Sequence, residues 1–256
     1  MIELIQNGGV TSAKGFISGA TYAGLKTAEP GVLDLGILLS ETIADVAATF
    51  STNRILSPSV TVSKRIAKKG TARGVVVNSG CANCSVGDQG IADAEELIEI
   101  AARHALVSPD DLLVCSTGVI GVELPMALIR QNMGKISLSD SGGEDFALSI
   151  LTTDTRSKAI AVSLMLDGVK VTLGGAAKGV GMIHPNMATM LGFVTTDAKV
   201  DNRFLQEALQ TAVDSSFNMI DVDGDQSTND TVIVLANGAA GGSPILGGTE
   251  AGERFQ

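Results

Sequence analysis

Few residues in this chain have types and spacings that suggest chemistry, and most of the familiar arrangements among them are incomplete. Cys81-Ala-Asn-Cys84 has redox or zinc-motif spacing, but no second pair completes a four-cysteine site. His104 and His184 are poorly placed as ligands, so packing cysteines are the ordinary reading. Asp221, Asp223 and Asp225 imitate the start of a calcium loop; Gln226 at its sixth position and Val232 at its twelfth exclude an EF-hand. GGAAKGVG at 174–181 has neither the order of a P-loop nor GxGxxG. A nucleophile–His–Asp triad is equally badly served, since only His184 lies near a candidate nucleophile. His104, near the end of a predicted helix, suits a surface or dipole role. Any hydroxyl nucleophile here needs a base of another kind.

The remaining candidate is KGVGMIHPNMATMLGFVTTD at 178–197, which has no clean period through residue 190. Taken alone, residues 187–191 read as an apolar strand containing a threonine. The whole segment, however, closely resembles the autoprocessing segment of the ornithine acetyltransferase (glutamate N-acetyltransferase) family of arginine biosynthesis. KGF at 14–16, FSTNR at 50–54, VVVNSG at 75–80, CSTGVIG at 115–121, LTTDT at 151–155 and DGDQSTND at 223–230 look like further family segments in family order. The resemblance therefore spans nearly the whole chain.

The resemblance implies that the bond between Ala188 and Thr189 is cut, and that Thr189 becomes the N-terminal residue of a β chain and the acyl-accepting nucleophile. The chemistry is self-consistent. A freed N-terminus has a reference pKa of about 8, so Thr189 would carry its own base and need no histidine. Ala188 is small enough to let the hydroxyl approach its carbonyl, and Gly179, Gly181 and Gly192 allow close backbone approach. Thr117 and Gly118 match the family's oxyanion hole, although Ser-Thr-Gly reads equally well as a strand-end turn. Lys178 matches a lysine that binds the substrate carboxylate; a solvated lysine is its ordinary reading. Thr152 matches a substrate-contacting threonine, with Thr153 and Thr155 as alternatives. The acidic run 223–230 stays unassigned, because Asx turns explain it as well.

The implied reaction is ping-pong transfer of acetyl from N2-acetylornithine to glutamate, with acetyl-CoA admitted as an alternative donor and no metal or redox cofactor. The implied architecture is α/β, in layered mixed sheets and helices of the self-processing ornithine acetyltransferase or aminopeptidase type. Residues 1–188 would form the α-chain portion and 189–256 the first part of the β chain, sharing one core, with two copies of each chain. Family members continue past Gln256, so an acidic residue and further polar residues of the pocket are expected beyond this sequence. A related self-processing amidohydrolase or aminopeptidase, and an unprocessed inactive fragment, are the alternatives.

The elements that must position these residues are partly legible. Residues 73–78 and 112–115 read as strands, and 92–106 as an amphipathic helix with Leu97, Ile98, Ala101 and Ala105 on one face. Helices are expected over 125–133, 144–151 and 202–217, the last capped by Asn202. Residues 158–166 and 169–173 flank Asp167-Gly168, a two-residue hairpin turn. Strands follow at 191–196 and 231–236, and a helix starts at the C-terminal end. Strands and helices alternate with much hairpin character, which favours layered mixed sheets over a doubly wound parallel one.

Composition narrows the class. The hydrophobic fraction is 45% with seven Phe, one Tyr and no Trp, so an aliphatic core is expected. Net charge is −10, from 28 acidic and 18 basic residues, which argues against a nucleic-acid or anionic-membrane surface. Apolar runs are too short to span a bilayer, no signal-peptide pattern opens the chain, and three cysteines are too few for a disulfide scaffold. A cytoplasmic protein acting on small molecules is expected.

Overall fold

The structure, a computed structural model, describes residues 1–182 and 190–256. Ala188 and Thr189, the expected cleavage pair, and His184 lie outside the described residues. The elements run β1 (Ile2–Ile5), β2 (Phe16–Thr21), β3 (Leu35–Phe50), α1 (Pro58–Ala67), β4 (Thr71–Cys81), α2 (Gln89–Ala105), β5 (Leu112–Val119), α3 (Met126–Asn132) and α4 (Gly143–Ser149). They continue with β6 (Lys158–Leu166), β7 (Val169–Lys178), β8 (Leu191–Val200), α5 (Asn202–Ser215), β9 (Thr231–Ile245) and α6 (Glu250–Phe255). Among the described residues the strands form one sheet in the order β1-β6-β7-β8-β9-β3-β4-β5, with β2 also on β3. Pairing is antiparallel except for β4 with β5 and β8 with β9.

Side-chain alternation shows how this sheet is layered. In β4, Val75 and Val77 enter one buried cluster and Val76 another; in β5, Leu113 and Cys115 alternate with Leu112 and Val114 in the same way. The first cluster also takes Leu191 and Phe193 from β8 and Ile233 and Leu235 from β9, so the two halves of the sheet face each other across it. The outer face of the β4–β5 half is covered by α1, α2 and α3, and that of the β8–β9 half by α5 and α6. The result is a helix/sheet/sheet/helix stack. The sixteen-residue β3 serves both halves: it pairs with β4 from Leu35 to Asp45, with a register shift between Leu39 and Ala44, and with β9 from Asp45 to Phe50.

Local signals explain several elements. Asp167 and Gly168 both take positive φ (47° and 79°), as a tight hairpin between two right-twisted strands requires. Ser57 caps α1 by accepting from the Val60 N–H, with Pro58 in the first turn. The cap of α5 is Asp201, which accepts from the Phe204 N–H, and not Asn202. Asn202 instead donates to the Gly70 carbonyl and to Asp45, tying α5 to β3 and the turn before β4. β7 extends past the predicted stop at residue 173 to Lys178, because strands on both sides satisfy its backbone. This extension delivers Lys178 to the site described next.

Candidate active site

The C-terminal ends of β4, β5 and β7 meet the N-terminal ends of β8 and β9, and a cavity of about 420 Å³ opens there. Thr117, Gly118, Thr152 and Lys178 all line it. The fold therefore gathers every described candidate from the sequence into one place.

Thr117 and Gly118 end β5 beside Gly80 of β4. Gly118 has φ 133°, and a Cβ there would lie 2.3 Å from the Gly80 carbonyl carbon, so only glycine fits. Gly80, at φ 105°, is pressed in turn against the 25–26 backbone: a Cβ on it would meet the Leu25 oxygen at 2.4 Å and the Lys26 Cα at 2.5 Å. That third strand of chain is fixed by the fully buried Asp34, whose carboxylate accepts from the N–H groups of Ala23 (2.7 Å), Leu25 (2.7 Å) and Lys26 (3.1 Å). Three backbone segments thus pack with no side chain between them. Thr117 is 4% exposed, and its hydroxyl takes part in no hydrogen bond among the described residues, leaving it available to a ligand. Asn229 braces the turn from the other half of the sheet, its side-chain amide donating to the carbonyls of Ala82 (2.7 Å) and Ser116 (2.9 Å).

Lys178 is 3% exposed, and its ammonium reaches the Thr152 hydroxyl at 3.4 Å. Burial lowers its pKa to about 8, against the opposing pull of Asp154 and Asp230. Of the three threonines weighed, Thr152 touches Lys178, Thr153 also lines the cavity, and Thr155 does not. Asp154, between them, is ion-paired with Lys158 and accepts from the Gly179 N–H at 3.1 Å. Burial works to raise its pKa, but the hydrogen bonds from Lys158 and Gly179 and the charges of Lys158 and Lys178 outweigh it and hold the carboxyl below the usual range.

Asp230 follows the cavity-lining Asn229 in the chain and holds Met190 just before β8. The Asp230 carboxyl is fully buried, and its Oδ1 accepts from the Met190 N–H at 3.0 Å. Burial raises its pKa to about 8, although the Met190 N–H, the nearby Ser227 hydroxyl and Lys178 all favour the charged form. Met190 directly follows Thr189 in the chain, so Asp230 anchors the residue after the expected nucleophile.

Sequence reasoning missed Lys26, Asn229 and Asp230. The last two belong to the 223–230 run, whose first half does consist of Asx turns: Asp221 accepts from the Gly224 N–H and Asp223 from the Asp225 N–H. A signal was available in the polar Thr228-Asn229-Asp230 just before the apolar run 232–236, where burial was to be expected. Lys26 carries no local signal. Elsewhere, His104 bonds the Ile136 carbonyl at 2.8 Å, and Cys81, Cys84 and Cys115 are buried free thiols.

The model of the ArgJ family matches residues 18–256. The chain belongs to the ArgJ family. The arginine biosynthesis bifunctional protein ArgJ of Dehalococcoides mccartyi is 49% identical over 255 residues, which are 100% of this chain and 63% of that protein. The chain thus spans somewhat less than two thirds of the length of that curated relative. A crystal structure of the ArgJ protein from Bacillus halodurans matches with TM-score 0.67 and 35% identity, covering 73% of this chain and 98% of its own. The structure of ornithine acetyltransferase from Mycobacterium tuberculosis complexed with ornithine matches with TM-score 0.66 and 30% identity, covering 72% of this chain and 98% of its own. The layered α/β architecture expected for the ArgJ family is the one observed. Among the described residues no helix is long and apolar enough to cross a membrane.

Proposed function

We propose that this chain is processed between Ala188 and Thr189 and then transfers acetyl from N2-acetylornithine to glutamate through an acetyl-Thr189 intermediate. The observation that carries the reading is the convergence of Thr117, Gly118, Thr152 and Lys178 on one cavity, with Met190, the residue after Thr189, anchored by Asp230 next to the cavity-lining Asn229. Relatives named for arginine biosynthesis and a similar chain solved with ornithine support the choice of substrate class. The two solved chains are almost fully covered while matching 73% and 72% of this one. That share is close to the part of the sequence that precedes Thr189, which supports a first chain ending near there.

In processing, the Thr189 hydroxyl attacks the Ala188 carbonyl, the peptide nitrogen leaves as an α-amine, and water hydrolyses the resulting ester. The α-amine then takes the hydroxyl proton as Thr189 Oγ attacks the acetyl carbon of N-acetylornithine. The Thr117 hydroxyl and the Gly118 N–H stabilise the oxyanion, and the proton passes to the departing ornithine amine. Lys178 holds the substrate carboxylate, with Thr152 beside it. Glutamate's amine attacks acetyl-Thr189, and N-acetylglutamate leaves. Acetyl-CoA is an alternative acetyl donor in this scheme, and no step calls on a metal or redox cofactor. Residues on both sides of the cut, such as Val75 and Phe193, share one buried cluster, so the two chains stay together after cleavage, as two copies of each in the assembled enzyme.

The test is a denaturing mass spectrum with N-terminal sequencing of wild type and Thr189→Ala. Two chains in wild type, one beginning at Thr189, and a single chain in the variant are expected. An uncut wild-type chain would sink the processing step. Acetyl release to water at the same rate with and without glutamate would replace the transferase by an amidohydrolase.

A further inference from the structure

Two lysines share the cavity, and only Lys178 has a role in the reaction above. Lys26 is half-buried, lines the same cavity, and directs its ammonium to the Leu33 carbonyl at 3.0 Å, which leaves two of its three N–H donors for a ligand. Its backbone cannot drift, because Asp34 binds its N–H and Gly80 packs on its Cα. It is therefore a fixed cation beside the Thr117–Gly118 turn.

The surrounding carboxylates are committed elsewhere. Asp34 spends both oxygens on backbone N–H groups, and Asp154 is engaged by Lys158 and Gly179. Among the described residues neither Lys26 nor Lys178 has a contact ion pair. Burial lowers the pKa of both, against the charges of Asp34 and Asp154 at Lys26 and of Asp154 and Asp230 at Lys178; the charge of Lys26 is the smallest contribution at Lys178. Two lysines without contact ion pairs in one cavity are better matched by a ligand with two negative groups than by a ligand with one. N-acetylornithine has one carboxylate and a cationic side chain; a dicarboxylic amino acid has two.

We propose that Lys26 binds the side-chain carboxylate of a dicarboxylic amino-acid acceptor whose α-carboxylate is held by Lys178. The inference rests on the acetyl-transfer reading and assigns acceptor specificity within it.

The experiment is calorimetric titration of the chain with L-glutamate and with L-glutamine, its isostere without the second charge, in wild type, Lys26→Met and Lys26→Arg, with thermal unfolding to confirm the fold. Wild type should prefer glutamate by about tenfold or more, the range of one charge-assisted hydrogen bond. Lys26→Met should bind both alike at the wild-type glutamine affinity, and Lys26→Arg should recover part of the preference. Equal weakening for both ligands or no preference in wild type would overturn the assignment. Failure of cleavage at Thr189 leaves the glutamate-to-glutamine ratio unmoved, so the two readings fail separately.

Discussion

The molecule contains two parallel strand–helix–strand units, and they meet the cavity with opposite ends. The unit β4–α2–β5 presents the C-terminal ends of its strands, Gly80 and Thr117-Gly118; the unit β8–α5–β9 approaches with its N-terminal ends, where Ser227 and Asn229 line the cavity and the adjacent Asp230 is bonded to Met190. The first end is made of backbone: glycines at positive φ let three chain segments touch, with Thr117 and Gly118 lining the cavity. The second end is made of buried polar side chains: Asn229 reaches across to the first, donating to the Ala82 and Ser116 carbonyls, and Asp230 holds Met190 within its own unit. Geometry that must not move is built from backbone, whereas protonation is controlled by burying a side chain that titrates.

Substitutions can break this contrast. The largest effect is expected from Gly118→Ala, whose Cβ would overlap the Gly80 carbonyl. The clash, added to a φ that L residues avoid, should cost about 3 kcal/mol or more and abolish acyl transfer, as read from urea unfolding and substrate turnover. Thr117→Ala leaves that backbone intact; it should slow acetyl-enzyme formation by about 10²–10³-fold at unchanged unfolding temperature, the usual effect of losing one oxyanion donor. On the opposite unit, Asn229→Ala strips the Ala82 and Ser116 carbonyls of a donor. A loss of about 2–3 kcal/mol in urea is expected, because both acceptors are left buried.

Asp230→Asn sharpens the comparison through pH. The folded pKa of Asp230, about 8, lies above the ordinary value of 3.8, so between these limits the folded state holds a proton that the unfolded state has released. Its contribution is fully present below pH 4 and is lost as pH rises towards 8. Asn cannot titrate, so the variant should lose a few kcal/mol less than wild type between pH 4.5 and 8, measured by urea unfolding at both values. Lys178 has the opposite sign and a different window: its folded pKa of about 8 lies below 10.5, so its contribution grows as pH rises from 8 towards 10.5. A matching slope in Asp230→Asn at low pH would remove the burial argument. The smallest effect is expected far from the cavity. Leu106 ends α2 in a left-handed conformation (φ 56°) and is 91% exposed, so Leu106→Gly should stabilise by about 1 kcal/mol in the same assay.

The legible parts of the fold are those set by neighbours in the sequence. Asp167-Gly168 announces the β6–β7 hairpin, and the spacing of Leu97, Ile98 and Ala101 announces α2, because turn and helix preferences act over a few residues. β3 went unread, since sixteen residues serving two half-sheets have no single burial pattern: Ser-Glu-Thr-Ile at 40–43 interrupts the alternation where the register shifts. Thr117, Gly118, Thr152 and Lys178 were located by the order of family-like segments, and their convergence then followed from the sheet. Asp201 displaced Asn202 as the cap of α5 because Asn202 found partners on another strand.

The sequence by itself determined the hairpin, the amphipathic helices and family membership, through signals carried by runs of adjacent residues. Only the tertiary structure decided that Lys26 shares a cavity with Lys178, that Asn229 braces Ser116, and that Asp230 is buried deeply enough to keep its proton near neutrality. Desolvation is imposed by whatever packs around a group, and here the surrounding atoms come from segments distant in the chain, brought together only when the two halves of the sheet close on each other.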